Sequence, residues 1–163
     1  MASGDALFEF HPCQVEPLVT NMAALSSRNA QPHLAFDADA IESAIFSGVM
    51  PNHYAGGGIN VLIISRFTSA TSGNARVQIA VERQDTGLDT DADNFATAVE
   101  GNVAASGTSG NPSYTTIALS NSEIDGLLVN ELARFKISRE ANDATNDTAT
   151  GDWELMRVYI TEQ

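Results

Sequence analysis

The sequence predicts an all-β protein, a sandwich or barrel of about eight strands. Three observations lead there. Hydrophobic residues recur with a period of two along most of the 163-residue chain. Turn-forming residues break those runs at short intervals, and no long amphipathic helical pattern appears.

The strands follow in order. Residues 7–10 (LFEF), 33–36 (HLAF) and 43–49 (SAIFSGV) are short apolar candidates. Residues 59–67 (INVLIISRF) begin apolar on both faces, which marks a more central strand. Residues 76–83 alternate cleanly, with Val77, Ile79 and Val81 on one face and Arg76, Gln78 and Glu82 on the other. Further candidates are 97–104 and 114–119. In 134–139, Phe135 and Ile137 oppose Arg134, Lys136 and Ser138, and 153–161 (WELMRVYIT) closes the chain. Pro51-Asn52, Gly56-Gly57-Gly58, Ser72-Gly73-Asn74, Thr86-Gly87, residues 106–112 and Thr150-Gly151-Asp152 supply the turns. Two short helical turns are expected, one capped by Ser122 ahead of Asp125, the other opening in 91–98. Residues 1–32, with Pro12, Pro17 and Pro32, read as an irregular arm, and 33–163 as a single β domain.

Composition excludes several functions. The chain carries 21 acidic and 8 basic side chains, a net charge of −13. Phosphate recognition needs clustered Lys and Arg, so nucleic acid, anionic membranes and polyanionic substrates are excluded as partners. The opening MASGDALFEF has no basic or long apolar stretch and does not read as a signal peptide. The lone Cys13 fits a reducing cytoplasm, or a secreted protein without disulfides. All the basic residues except Arg28 fall in predicted strands, whereas many acids (Asp85, Asp89, Asp91, Asp93, Asp125, Asp143, Asp147) fall in loops. Strand-borne arginines are expected to cover outer sheet faces and pair with nearby acids.

No catalytic constellation emerges. His11, His33 and His53 lie near prolines or strand starts, no Ser occupies a G-x-S-x-G elbow, and Ser109 sits in a flexible turn. Cys13 in an arm is a poor place for a rigid dyad with His11 or His33. No cofactor is expected. One segment has weak calcium character: Asp89, Asp91, Asp93 and Glu100 occupy positions 1, 3, 5 and 12 of an EF-hand-type loop. Asn94 in place of the loop glycine and strand-like flanks count against it, and a solvated acidic loop is the plainer account. The sequon Asn146-Asp147-Thr148 has no secretory signal to give it meaning. In the last strand, Trp153, Leu155 and Tyr159 oppose Met156, Val158 and Ile160. If the second set faces the core, Trp153, Leu155, Arg157 and Tyr159 form an outward row of the kind interfaces enrich. The alternative is a strand covered on both faces by a loop or arm.

The run from Phe36 to Ile160 resembles the single-jelly-roll structural proteins of tailed bacteriophages, most of all the head decoration, or cement, proteins. The segments that carry the likeness are IFSGVMP (45–51), YAGG (54–57), SATSG (69–73), Val81-Glu82-Arg83, LDTDADNF (88–95), ARFKISR (133–139) and TGDWEL (150–155). The resemblance implies a jelly-roll β-sandwich that is not an enzyme. It implies a homotrimer seated on the major capsid protein, on the outer surface of a virion, made in the host cytoplasm. The same fold serves tail and baseplate appendages. The second expectation is therefore a module binding host carbohydrate through Tyr54, Tyr114 and Trp153, with Asp89, Asp91 and Asp93 as the calcium option.

Overall fold

A computed structural model describes residues 4–163. Among the described residues, ten strands form two antiparallel sheets. They are β1 (Ala6–Phe10), β2 (Ala24–Arg28), β3 (Gln31–Phe36), β4 (Glu42–Val49), β5 (Ile59–Phe67), β6 (Asn74–Gln84), β7 (Val99–Ala104), β8 (Ser113–Leu119), β9 (Leu132–Arg139) and β10 (Trp153–Glu162). The six-stranded sheet runs β2-β3-β10-β5-β8, with β1 also pairing β10, and the four-stranded sheet runs β4-β9-β6-β7. The expected jelly-roll sandwich is the observed architecture.

The core lies between the sheets, as alternation requires. Leu34, Phe36, Ile59, Val61 and Ile63 from one sheet meet Phe46, Val77, Ile79, Phe135 and Ile137 from the other, all buried. Phe36 packs on Trp153 at 4.8 Å between ring centroids. Phe10 stacks on Phe46 at 5.3 Å, and Phe8 meets Phe135 edge-on at 5.2 Å. A Cβ on Gly48 would stand 2.7 Å from the Phe8 ring, so glycine there lets β1 close over the core.

That last contact corrects the reading of residues 1–32 as an irregular arm. Residues 1–3 of it lie outside the described residues, but 6–10 and 24–28 are strands. Leu7 and Phe10 are core residues, so the apolar effect fixes β1 to β10. Strand β2 pairs β3 through a two-residue hairpin in which Asn29 and Ala30 both have positive φ, 50° and 61°. That geometry belongs to the turn whose twist matches paired strands. The intervening chain straps the free edge of β4: Glu16 N–H donates to Ile45 O at 2.8 Å and Ala23 N–H to Ser43 O at 3.0 Å. An uncovered edge invites pairing with another chain, and the strap blunts it.

Two further expectations shift. The 3-10 turn is Asn121–Ile124, capped by Ser120, whose N–H donates to Glu123 Oε2 at 2.7 Å. Asp125 instead ends that turn in the left-handed conformation and accepts from Arg83 N–H at 3.1 Å. Residues 91–92 end a turn and 93–98 are irregular, so no helix forms there. Phe95 returns from that loop to the outer face of the four-stranded sheet, 5.3 Å from the Arg134 guanidinium and 5.6 Å from Lys136 Nζ.

Strand-borne arginines do pair with acids, but two are interior. Arg139 is fully buried; it bonds Asp147 through Nε (2.9 Å) and Nη2 (2.8 Å) and also donates to the carbonyls of Ala149 and Gly151. The arginine thereby pins the loop between β9 and β10. Removing one partner of such a pair strands a buried charge, so Arg139→Ala should cost about 3–5 kcal/mol in chemical denaturation. A loss below roughly 1 kcal/mol, the surface-pair range, would show that the clasp is not what holds the loop.

The strap carries its own pH dependence. Burial raises the Glu16 carboxyl, but hydrogen bonds from Arg134 and Ser47 outweigh it and hold the group below the usual carboxylate value. The folded value is depressed. The stabilisation is therefore present above the unfolded value, roughly 4.3, and lost as pH falls through the lower folded value. Amide exchange at Glu16 and Ala23 should accelerate in that acid window before the β5 amides do. Equal acceleration throughout would refute local release of the strap.

Candidate functional site

The outer face of the six-stranded sheet carries a groove of about 370 Å³. Its origin is a bulge in β10. Leu155 pairs Ser65 and Arg157 pairs Ile64, so Met156 is an extra residue on β10. At the same place β10 exchanges neighbours: β3 pairs Trp153–Leu155, whereas β1 pairs Val158–Thr161. A bulge bends its strand and re-aims a side chain. Here it leaves Met156, Arg157 and Ile64 as the groove floor. His11 and Pro12, just past β1, form one wall. Gln31 and Pro32, at the start of β3, flank it, and Tyr114 on β8 stands opposite.

Tyr114 is 66% exposed although it sits on a strand, directly across from Ile64. Its phenol ring is a free apolar face with a polar tip. Arg157 rests one nitrogen, Nη1, against the His11 ring and has its Nε 3.7 Å from Glu9. The 3-10 turn Pro12–Gln14 holds the His11 wall, with His11 N–H donating to Gln14 Oε1 at 2.7 Å.

Beside the groove, polar residues of the same sheet face form a cluster in which Glu154, Arg66 and His33 are buried and Arg28 is partly exposed. Glu154 on β10 is paired with Arg66 across the strands. It also lies 3.6 Å from Arg28 and 3.7 Å from His33. Arg66 Nη2 is 3.4 Å from His33 Nδ1. A guanidinium can only donate, so His33 Nδ1 accepts and its protonated Nε2 faces Glu154. By the same rule, Gln31 Oε1 accepts from Arg66 Nη1 at 3.0 Å, which turns the Gln31 amide nitrogen away as a donor. The cluster thus positions Gln31 at the groove.

The bulge also redistributes the expected interface row. Trp153 and Leu155 are core residues, because the extra Met156 reverses the alternation and brings them to the same side as Val158 and Ile160. They have no outer surface to offer a partner, which corrects that expectation. Arg157 and Tyr159 remain on the outer face, half-buried, Tyr159 across from Leu62 and Glu9. Of the three aromatics expected to meet sugar, Trp153 and Tyr54 are buried, the latter donating to Gly57 O. Tyr114 alone of these is free.

The calcium candidates separate. Asp89 Oδ1 accepts from Asp91 N–H at 3.0 Å, closing a turn, and Asp93 Oδ1 accepts from Asn94 N–H at 3.0 Å. Glu100 sits on β7, where Gln78 first and then Arg76 hold its carboxylate below the usual value. Among the described residues no group of three or more His, Cys, Asp or Glu side chains is placed to hold a metal ion. His53 binds Ala6 O at 2.8 Å and Ser109 donates to Thr68 O at 2.8 Å, so both serve as ties between segments. Sequence reasoning missed Gln31, Pro32, Ile64 and Met156. The β5–β8 and β3–β10 pairings that gather them join strands far apart in the chain.

Comparisons place this fold among known ones. No protein-family model matches the chain, and no curated relative does either. Solved structures do. One is the C-terminal family 6 carbohydrate-binding module of LamC, a marine laminarinase from Zobellia galactanivorans: TM-score 0.59, 10% identity, covering 95% of this chain and 98% of that one. Another is a family 35 carbohydrate-binding module from Clostridium thermocellum: TM-score 0.58, 12% identity, 99% and 100%. A third is the CBM22-2 xylan-binding domain of Paenibacillus barcinonensis Xyn10C: TM-score 0.51, 13% identity, 97% and 100%. At such identities the likeness establishes the shared jelly-roll β-sandwich.

Proposed function

We propose that this chain is a non-catalytic carbohydrate-binding module that holds a sugar in the groove across its six-stranded sheet. The observation that carries the reading is Tyr114, a strand aromatic left exposed beside Arg157 and Gln31 over an apolar floor. A sugar ring offers an apolar face and a rim of hydroxyls. A tyrosine ring opposite hydrogen-bond donors complements both, and the groove volume lies within the range of small-ligand sites. The solved modules named above supply precedent for the fold in this role. A glycan array is the direct test. Tyr114→Ala should weaken any binder found at least tenfold, about 1.4 kcal/mol, with an unchanged denaturation midpoint because the ring is exposed. Unaltered affinity in that variant would remove the groove from consideration.

A second reading is the virion decoration protein, a homotrimer on a major capsid protein. It comes from the resemblance of the segments between Phe36 and Ile160; the arm and the outward row that would serve its contacts are not available, since Trp153 and Leu155 are in the core and β1 is fixed to β10. A different surface favours it. Val49 and Leu132 pair across strands β4 and β9, and both are exposed, as are Leu128 and Val129 beside them. Contiguous exposed apolar residues suit an interface. Light scattering should then find a trimer that Leu128→Glu disperses; a monomer at all concentrations would set this reading aside.

A further inference from the structure

The groove gathers donors with no carboxylate in its lining, Glu9 standing outside it against Arg157. Of the chain's 21 carboxylates, none lines it. Its polar lining is Arg157, His11, Gln31 and the Tyr114 hydroxyl. Gln31 presents its amide nitrogen, because its oxygen is already taken by Arg66. Among the described residues the Nη2 of Arg157 donates to no protein acceptor, since Nη1 meets His11 and Nε faces Glu9 only at 3.7 Å. Next to this lining, Arg28 and Arg66 face the carboxylate of Glu154, and Arg28 and Glu154 share a neighbouring hollow with Asp152. Two arginines against two carboxylates leave that flank balanced, and Arg157, 3.7 Å from Glu9, is the fixed charge in the groove lining itself.

A neutral sugar can accept from these donors through its hydroxyls, but a hydroxyl brings no charge to meet the guanidinium of Arg157. We infer that the groove selects a sugar bearing a single anionic substituent, a carboxylate or a sulfate ester, whose oxygens take the free donors of Arg157 and Gln31 while Tyr114 stacks on the ring. This rests on the carbohydrate reading and adds the substrate class to it. A carboxylate or sulfate adds a second charge and a bidentate match to the guanidinium that a hydroxyl cannot offer, so the preference should be marked. The net charge of −13 bears on the same choice. It repels a long polyanion, whose charges extend beyond a Debye length of about 8 Å, but not a short sugar with one charge seated in the groove. The ligand is thus an acidic oligosaccharide and not a polyuronate or nucleic acid.

The experiment is titration calorimetry on the full chain with three matched sets of short oligosaccharides: neutral, uronate-terminated and sulfated. Binding of one or both acidic sets at least tenfold tighter than the neutral set is expected, and the set that binds tells carboxylate from sulfate. Arg157→Gln should abolish that tenfold preference and Arg157→Lys should restore part of it. Far-ultraviolet dichroism and denaturation midpoints verify that both variants fold. If neutral and acidic sets bind equally, or if Arg157→Gln keeps the preference, the inference fails while the carbohydrate reading stands. If no set binds, and a full glycan array is also silent, the carbohydrate reading falls and takes the inference with it.

Discussion

Strand β10 serves three neighbours, and the extra residue at Met156 is what makes this workable. Trp153 and Leu155 must face the same interior as Val158 and Ile160. Strict alternation cannot deliver that, since the two pairs stand an odd number of residues apart. The bulge resets the phase between them. Burying large apolar side chains is worth about 1.5–3 kcal/mol each, so several such side chains in the core outweigh one interrupted ladder position. The same residue turns Arg157 outward and lets β1 succeed β3 beside β10. The groove is then the outer surface of a decision made by the core.

The ionic arrangement follows the strands rather than the bulk composition. Arg66 faces Glu154 and Arg134 faces Glu82 as register partners on adjacent strands. Opposite charges directly across a sheet stabilise it and make a one-residue slip costly, because a slip would place like with unlike faces. Glu82 and Glu154 are nearly inaccessible, so each depends on its arginine for solvation. The surplus acids sit mainly in exposed turns, where water screens them. An excess of negative charge overall is in this way compatible with a groove whose lining carries no carboxylate.

Much of the architecture could be read from the residues. The strands β5, β6 and β9 were evident from period-two runs, and the turn residues bounded them. What escaped notice had a physical reason in each case. Strand β2 (ALSSR) is an edge strand with no buried side, so it lacks the apolar alternation that would announce it. Its hairpin uses Asn29-Ala30 where glycine is the usual second residue. The bulge left no mark, because Met156 is as apolar as its neighbours and only the partner strand reveals the extra residue. The burial of Arg139 was invisible, since its Asp147 partner arrives on a loop. Of the candidate site, Tyr114 and Arg157 were singled out by residue type. Their proximity depends on β5 lying between β8 and β10, which no local pattern encodes.

The chain's single cysteine acquires a use from its position. Cys13 is exposed and belongs to the 3-10 turn whose first residue, Pro12, forms part of the groove wall. A thiol-reactive fluorophore would attach at that one place, at the rim of the groove and outside it. The protein therefore comes with a built-in attachment point for an optical reporter, sensitive to the solvent a ligand displaces, and no engineered residue is needed.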